Sequence, residues 1–167
     1  MLEKPTALPD VYSKAKMSFD GGSKAERDEI LLAYHAYMLA NDYLDFDLLA
    51  TLWDDNPENV FFNTNQHTYE GLSDWENIWI YYRPKFKLEM PYYPGRLRVV
   101  IRDGMAMIAS DGVKRFKSWV GQSNANWHNP PAYRSTMVML KTGGAWKTVH
   151  AHFSEQGDGV RPDKSGL

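Results

Sequence analysis

The fold is decided by residues 133–154, which read YRSTMVMLKTGGAWKTVHAHFS. Apolar and polar residues alternate on both sides of Gly143 and Gly144, and a period of two is the pattern of β-strands. Paired glycines between two such runs are typical of a tight hairpin, because the turn needs backbone conformations that glycine adopts at low cost. The segment is therefore predicted to form two long antiparallel strands.

Each strand of this hairpin has two faces, since successive side chains point to opposite sides. Arg134, Thr136 and Val138 share one face of the first strand. His150 and His152 share one face of the second, where they could act as general acid and base. Two ligands from one strand do not complete a metal site, so no metal is expected. The alternation alone leaves open which face points into the protein.

The composition indicates one domain, and its aromatic richness suits either a thick core or a pocket lined with flat side chains. The chain has 167 residues, a net charge of −2 and 14% aromatic residues, with no cysteine. Scattered charges predict neither a nucleic-acid surface nor a lipid surface. The lack of cysteine excludes disulfides, a thiolate nucleophile and zinc sites built on thiolates. The sequence shows neither a secretory signal pattern nor an apolar run of about 20 residues, so a cytoplasmic location is expected.

Three helices are predicted in the first half of the chain. Ser23 and Glu26 form a capping box that begins a long helix, and Asp45 can cap a short second helix. A similar Ser73 and Glu76 pattern predicts a third helix that ends at Pro84. Residues 1–22 are predicted to be an extended arm, residues 23–156 a single domain and residues 157–167 a flexible tail.

The second half of the chain is predicted to be mainly strands. Residues 97–102 and the strand that begins at Met105 should form a hairpin through Asp103 and Gly104. We expect the second of these strands to run to Trp119 with a bulge at Asp111 and Gly112, although another hairpin there is the alternative. Residues 85–96 and 121–132 are predicted to be loops.

The element order, the GLSDWENIW helix at 71–79 and the closing hairpin resemble the nuclear transport factor 2 and SnoaL-like superfamily, which includes ketosteroid isomerases, scytalone dehydratases and limonene epoxide hydrolases. The ending W-x-x-V-H-x-H-x-S resembles the subgroup related to the association domain of calcium/calmodulin-dependent kinase II. The resemblance covers roughly residues 23–154. It implies an α+β fold in which a cone-shaped, bent antiparallel sheet wraps around three N-terminal helices, a cystatin-like α+β barrel with a cavity.

The resemblance also implies roles for individual residues. It aligns Tyr37 with the tyrosine that donates to an oxyanion in ketosteroid isomerases, and Thr136 with their acidic partner. Phe62 and Asn63 match the position of their general base, and neither can accept a proton at neutral pH. Proton shuttling by a carboxylate at that position is therefore not expected in this chain.

The superfamily's strand register implies which hairpin face lines the cavity. It turns His150 and His152 to the outer face, which is often a subunit interface in relatives, and makes them interface residues or second-choice catalytic residues. The residues that it turns to the cavity are Arg134, Thr136, Val138, Val149, Ala151 and Phe153.

Two sets of candidate site residues follow. The catalytic candidates are Tyr37 and Arg134, which could stabilise an oxyanion, and His35 and His128, which could move a proton. The ligand-binding candidates are aromatic or polar residues expected at the cavity: Trp53, Asn63, Trp79, Tyr82, Trp119, Thr136 and Phe153.

Two functions from different classes are compatible with the sequence. The first is a cofactor-free lyase, isomerase, dehydratase, cyclase or hydrolase that acts on a small carbonyl, hydroxyl or epoxide compound. The alternative is a non-catalytic module for ligand binding or oligomerisation. Under both, the expected partners are a small molecule and further copies of the chain, in a homodimer or higher homo-oligomer.

Overall fold

The structure is a computed structural model that describes residues 1–121 and 127–157. Its helices are α1 (Lys24–Tyr43), α2 (Phe46–Ala50) and α3 (Gly71–Tyr82), preceded by a 3-10 helix at Asp10–Lys14. Its strands are β1 (Lys16–Asp20), β2 (Val60–Phe62), β3 (Thr68–Glu70), β4 (Phe86–Tyr93), β5 (Arg96–Arg102), β6 (Met105–Trp119), β7 (Ala132–Thr142) and β8 (Ala145–Glu155).

The predicted α+β fold class is confirmed, with the three helices against one curved sheet. The strand order is β1-β5-β6-β7-β8-β2-β3, and β4 pairs with the second half of β6. The sheet is mixed rather than wholly antiparallel, because β1 pairs with β5 and β2 pairs with β8 in parallel. No helix within residues 1–121 and 127–157 is long and apolar enough to cross a membrane.

Local signals in the sequence explain where two of the helices begin. The Ser23 side chain accepts a hydrogen bond from the Glu26 backbone N–H, and the Glu26 carboxylate accepts one from Ser23, so the capping box at the start of α1 is confirmed. Asp45 caps α2 in a similar way through the Leu48 N–H. The third helix begins at Gly71, earlier than the Ser73 and Glu76 pattern predicted, and Asp74 accepts a hydrogen bond from the Glu70 N–H there.

Two segments predicted without strands contain one. Within residues 1–22, β1 adds an edge strand to the sheet and the buried Tyr12 joins the hydrophobic core. Within residues 85–96, the predicted loop is wrong, because β4 pairs with β6. The register of that pairing shifts between Leu88 and Met90 and again between Met90 and Tyr93. Such irregularities accommodate Pro91, which has no N–H to donate to a regular ladder.

Bulges in two central strands decide which side chains face the helices. The predicted bulge in β6 is confirmed: the pairing with β7 shifts between Asp111 and Val113, where Gly112 has a φ of 73°. A second bulge interrupts β8, where Val138 pairs with His150 but Met139 pairs with Thr148. One extra residue reverses the inward and outward alternation of all the residues that follow it.

Candidate functional site

A cavity of about 530 Å³ lies between the helices and the inner face of the sheet. Its wall combines side chains of α1, α3 and strands β4, β6, β7 and β8 with the segment before β7. The bulge in β6 is the feature that gives this wall its charge. Before the bulge Ala106, Ile108 and Ser110 are buried on the inner side, and after it Val113, Arg115, Lys117 and Trp119 line the cavity.

Arg115 is the first of the two cations in the wall. Its Nη2 donates to the Tyr37 hydroxyl at 3.5 Å and approaches the Met38 sulfur at 3.8 Å. Burial disfavours the charge of Arg115, but the neighbouring Tyr37 and Asp42 outweigh it and raise the pKa of the guanidinium. Arg115 therefore carries a permanent positive charge on the cavity wall.

Tyr37 is buried in an aromatic cluster. Its ring lies 5.0 Å from the Trp53 ring and 5.5 Å from the Phe153 ring, measured between centroids. Only 2% of Tyr37 is exposed. Burial raises the pKa of its hydroxyl, and Arg115 opposes that shift. Tyr37 therefore stays protonated at neutral pH and can donate a hydrogen bond to an anion.

Lys117 is the second cation of the wall. Its Nζ donates to Asn41 twice, to the backbone carbonyl and to the side-chain Oδ1, the latter at 3.1 Å. Nζ also lies 5.8 Å from the centroid of the Phe86 ring. Burial, followed by the repulsion of Arg115, lowers the pKa of Lys117 to about 7. The amine can therefore exist in both protonation states near neutral pH.

Asp42 is a buried carboxyl group next to this pair of cations. Its Oδ2 accepts a hydrogen bond from the Tyr92 N–H at 3.2 Å, and its buried Oδ1 has no partner among the described residues. Burial raises the pKa of Asp42, while Arg115 and Lys117 lower it. Asp42 does not line the cavity, and it affects the site by raising the pKa values of Arg115 and Lys117 against the effect of burial.

Three hydroxyl groups add polarity to the wall. The Ser110 and Ser135 hydroxyls are hydrogen-bonded at 2.6 Å, and both residues line the cavity with Tyr34. Burial raises the pKa of Tyr34 to about 12, although Ser110 lies close enough to lower it. The buried Tyr34 hydroxyl lies beside Ser110 and Ser135 but has no hydrogen-bond partner within the described residues. Such a group can be satisfied by a polar ligand.

Aromatic rings form the remaining wall. Phe86 and Trp119 lie 4.2 Å apart and Tyr82 lies 5.2 Å from Phe86, measured between ring centroids. Trp79 is buried at 2% exposure, whereas Trp119 is 38% exposed. These flat surfaces suit a cyclic or aromatic ligand.

Five ligand-binding candidates line the cavity, namely Asn63, Trp79, Tyr82, Trp119 and Phe153. Trp53 does not; its ring packs against the rings of Tyr37 and Phe61, at 5.0 and 6.2 Å between centroids. The cavity-facing position of Thr136 is wrong. Directly paired residues share a face of the sheet, and Thr136 pairs with His152 whereas Ser135 pairs with Phe153. For the same reason Val138, which pairs with His150, lies on the outer face. Val149 lies at the bulge itself.

The four catalytic candidates lie in different places. Tyr37 lines the inner part of the cavity, and Arg134 is an exposed residue of its wall that donates to the Glu155 carbonyl at 3.2 Å. His35 does not line the cavity; its Nδ1 hydrogen-bonds to the Tyr92 hydroxyl at 2.6 Å. Burial lowers the pKa of His35. His128 is exposed and does not line the cavity.

His150 and His152 flank the Phe62 ring, at 5.4 and 5.5 Å between centroids. His150 Nδ1 lies 2.7 Å from the Val60 carbonyl oxygen and so links β8 to β2. These positions lie on the outer face, because each residue is adjacent in sequence to the buried Ala151. No group of three or more potential metal-ligating side chains occurs in the described part of the chain.

Sequence reasoning missed Arg115, Lys117, Tyr34 and Asp42. The signal for the two cations was present, because a bulge at Gly112 turns Val113, Arg115 and Lys117 to the same side as Ser110. To use that signal, one must know which face of β6 points inward.

The predicted loop at 121–132 contributes Trp127, Pro130 and Pro131 to the wall. Residues 122–126 of this loop and residues 158–167 of the predicted tail lie outside the described residues.

A family profile described as "SnoaL-like domain" matches residues 30–157. The chain belongs to this family. The match includes α1 from Ile30 and every strand of the cavity wall. No curated protein sequence matches the chain at a significant level. The closer relation to the kinase association domain stays a prediction.

Several solved structures have a fold similar to that of this SnoaL-like protein. A ketosteroid isomerase-like protein from Erwinia carotovora atroseptica has a TM-score of 0.65 at 18% identity, over 81% of this chain and 99% of that chain. An NTF2-like protein from Cytophaga hutchinsonii has a TM-score of 0.63 at 15% identity, over 78% and 98%. An NTF2-like protein of unknown function from Pseudomonas putida has a TM-score of 0.61 at 20% identity, over 83% and 92%. At these identities the likeness shows the fold alone.

Proposed function

We propose that this SnoaL-like protein is an enzyme that acts on a small carbonyl compound and needs no cofactor. The observation that carries the proposal is the contact between Arg115 and the Tyr37 hydroxyl on the wall of an aromatic cavity. Two hydrogen-bond donors on a water-poor wall can stabilise negative charge as it develops on a carbonyl oxygen. Lyase and isomerase reactions of carbonyl compounds pass through such an oxyanion or enolate.

The protonation states of the two donors suit this role. Tyr37 keeps its proton at neutral pH because burial raises its pKa. Arg115 keeps its charge because Tyr37 and Asp42 outweigh the burial that disfavours it. The unpartnered Tyr34 hydroxyl offers a third polar contact for the ligand. Reactions of hydroxyl or epoxide substrates would also form an oxyanion, namely an alkoxide. A planar enolate, however, makes larger contact with the flat aromatic rings of the wall.

Lys117 is the group best suited to moving a proton in this cavity. Its pKa of about 7 allows the neutral amine to accept a proton and the ammonium to return it. Neither Asn63 on the wall nor the buried Asp42 outside it can do this directly, since an amide is not basic and Asp42 does not line the cavity. Glu155 also lines the cavity, but it is exposed, whereas Lys117 lies on the same strand face as Arg115. Proton transfer next to a carbonyl would therefore use Lys117, with Arg115 and Tyr37 at the oxygen.

The proposal is tested by exchange of the protons next to a carbonyl in heavy water. Cyclohexanone and acetophenone serve as probes, and proton NMR follows the loss of the signals next to the carbonyl. We expect exchange above the buffer rate in the wild type and a loss of about 10- to 100-fold in Arg115→Gln. Lys114→Gln is the matched control, because this neighbouring lysine of β6 does not line the cavity.

Two results would contradict the proposed enzymatic function. Exchange at the buffer rate with every ketone would exclude proton transfer next to a carbonyl, and binding without exchange would favour the ligand-binding alternative. Arg115→Lys is the second variant in case Arg115→Gln does not fold, since it keeps a charge but loses the fork-shaped donor geometry. Equal exchange in the wild type and Arg115→Lys would show that the guanidinium is not needed.

A further inference from the structure

The hydrogen bonds of Lys117 leave one position on its nitrogen unused. A neutral amine has two N–H bonds and one lone pair. Nζ donates to the Asn41 carbonyl and to Asn41 Oδ1, which uses both N–H bonds. No other hydrogen bond of Nζ exists within the described residues. Asn41 lines the cavity together with Lys117, so the unused lone pair belongs to an amine that a ligand can reach.

The surroundings of Lys117 favour that neutral amine. The Lys117 side chain is enclosed by Asn41 and the Phe86 ring. Arg115, two residues earlier in β6, lies on the same face of the strand. Burial of the amine and a neighbouring cation both make a lysine amine nucleophilic near neutral pH. Asp42 opposes this effect, but burial and Arg115 together still lower the pKa of Lys117.

The same wall can hold a carbonyl group opposite this amine. Arg115 and Lys117 are separated by two residue steps, which is about 7 Å along a strand. Arg115 and Tyr37 supply donors for the carbonyl oxygen, and the long side chain of Lys117 can reach the adjacent carbonyl carbon. The nucleophile and the donors for the oxygen therefore belong to one site.

We propose that Lys117 is a nucleophile that forms an imine with an aldehyde or ketone bound in the cavity. The proposal rests on the proposed function, because it requires a carbonyl compound to bind at Arg115 and Tyr37. It gives Lys117 a covalent role in place of proton transfer by its free amine, and it keeps Arg115 and Tyr37 as the donors to the carbonyl oxygen. The substrate class becomes aldehydes and ketones whose carbonyl carbon is open to attack by an amine.

The step balances in atoms and charge. The Nζ lone pair attacks the carbonyl carbon, a C–N bond forms, and the electron pair of the C=O bond moves to the oxygen beside Arg115 and Tyr37. A proton moves from nitrogen to oxygen to give a neutral carbinolamine. A further proton from water allows the C–O bond to break, and the oxygen leaves as water. The product is a protonated imine, which withdraws electrons from the adjacent C–H or C–C bond.

Reductive trapping with benzaldehyde tests this proposal on the full chain. Cyanoborohydride reduces a protonated imine to a stable secondary amine, and peptide mapping by mass spectrometry locates the added benzyl group. We expect labelling of Lys117 at least about tenfold faster than labelling of Lys114 or the exposed Lys87 in the same sample. Lys117→Arg should lose this fast site, and Lys114→Arg should keep it.

The comparison within one wild-type sample keeps the test decisive even if a variant fails to fold. Labelling of Lys117 no faster than that of Lys87 overturns the imine. Binding of 4-nitrophenolate, an oxyanion that forms no imine, separates this failure from failure of the proposed function. One outcome would keep the oxyanion site and exclude the imine. In it, 4-nitrophenolate binds to the wild type and to Lys117→Arg but not to Arg115→Gln, and Lys117 is not labelled. If 4-nitrophenolate also fails to bind, both proposals fail.

Discussion

Arg115 on β6 donates to the Tyr37 hydroxyl on α1 at 3.5 Å, so the sheet and the first helix meet through a polar contact on the cavity wall. This distance is long for a hydrogen bond, and the guanidinium has further N–H groups. The contact therefore orients both groups without using up their capacity to donate. An anionic oxygen beside the two groups could accept a hydrogen bond from each.

Tyr37→Phe should weaken oxyanion binding and leave the aromatic packing of the ring in place. A hydrogen bond to a charged group contributes about 1.5–3 kcal/mol, so we expect the Kd of 4-nitrophenolate to rise about 10- to 100-fold. Absorbance titration measures this change. Tyr12→Phe is the control, because it removes a buried hydroxyl that hydrogen-bonds to Tyr92 outside the cavity. An unchanged Kd in Tyr37→Phe would show that the hydroxyl does not contact the anion.

Arg134→Gln should affect anion binding far less than Arg115→Gln. Arg134 is exposed and donates to the Glu155 carbonyl, so water screens its charge. We expect a change in Kd for 4-nitrophenolate of about twofold or less in Arg134→Gln, compared with about tenfold or more in Arg115→Gln. A larger effect of Arg134→Gln would restore Arg134 as the anion clamp that the family register suggested.

The difference between Arg134 and Arg115 shows how far the sequence could be interpreted. Capping residues, paired glycines and strand alternation are local, and they predicted α1, α2, the closing hairpin and the bulge of β6. The inner face of each strand depends on pairing with its neighbours. Phe153 was predicted correctly as a cavity residue, but the pairing of Ser135 with Phe153 turns Thr136 outward. A one-residue error in register exchanges the two faces of a strand.

Burial adds a second limit to prediction from sequence. Nothing within the sequence around Lys117 indicates that Asn41 and Phe86 enclose it, because both are distant in the chain. The same holds for Asp42, whose buried Oδ1 has no partner. The chemistry of such groups comes from tertiary contacts, which local patterns do not encode.

Lys117→Met should stabilise the protein near neutral pH. The pKa of Lys117 is about 7 in the folded protein against 10.5 ordinarily, so between these values the unfolded chain binds more protons and wild-type stability rises with pH. The Met variant lacks this rise. We expect it to be more stable than the wild type by about 1–3 kcal/mol at a pH of about 7, with a smaller difference at about pH 10.

Urea unfolding at the two pH values measures the difference in the free energy of unfolding. Lys114→Met is the matched control on the same strand, and its stability relative to the wild type should not change in this way with pH. If the stability difference between Lys117→Met and the wild type stays constant or grows with pH, the pKa of Lys117 is not lowered by folding.

His152→Glu should weaken self-association if the outer face joins two copies, as expected from the resemblance. His152 is exposed beside the Phe62 ring, so the substitution would place a new carboxylate from each copy in an isologous interface on this face. We expect sedimentation velocity to show a dimer or larger oligomer for the wild type and a shift towards monomer for the variant. Lys14→Glu, an exposed change on the N-terminal 3-10 helix, should leave the sedimentation unchanged. A monomeric wild type, or an unaffected oligomer in His152→Glu, would remove this face as the interface.

Substitutions at Gly112 and Gly95 should separate the backbone strain of the β6 bulge from its packing. Both glycines have positive φ, at 73° and 66°. A Cβ at Gly112 would meet nothing within 4 Å, whereas one at Gly95 would lie 2.3 Å from the Asp111 carbonyl oxygen in the bulge. We expect Gly112→Ala to lower the free energy of unfolding by about 1–2 kcal/mol, which is the cost of a left-handed conformation, without loss of 4-nitrophenolate binding. Gly95→Ala should cost more and weaken that binding, because displacing Asp111 moves the residues that turn Arg115 and Lys117 inward. Equal losses of stability and binding in the two variants would show that the position of the bulge does not control the cavity wall.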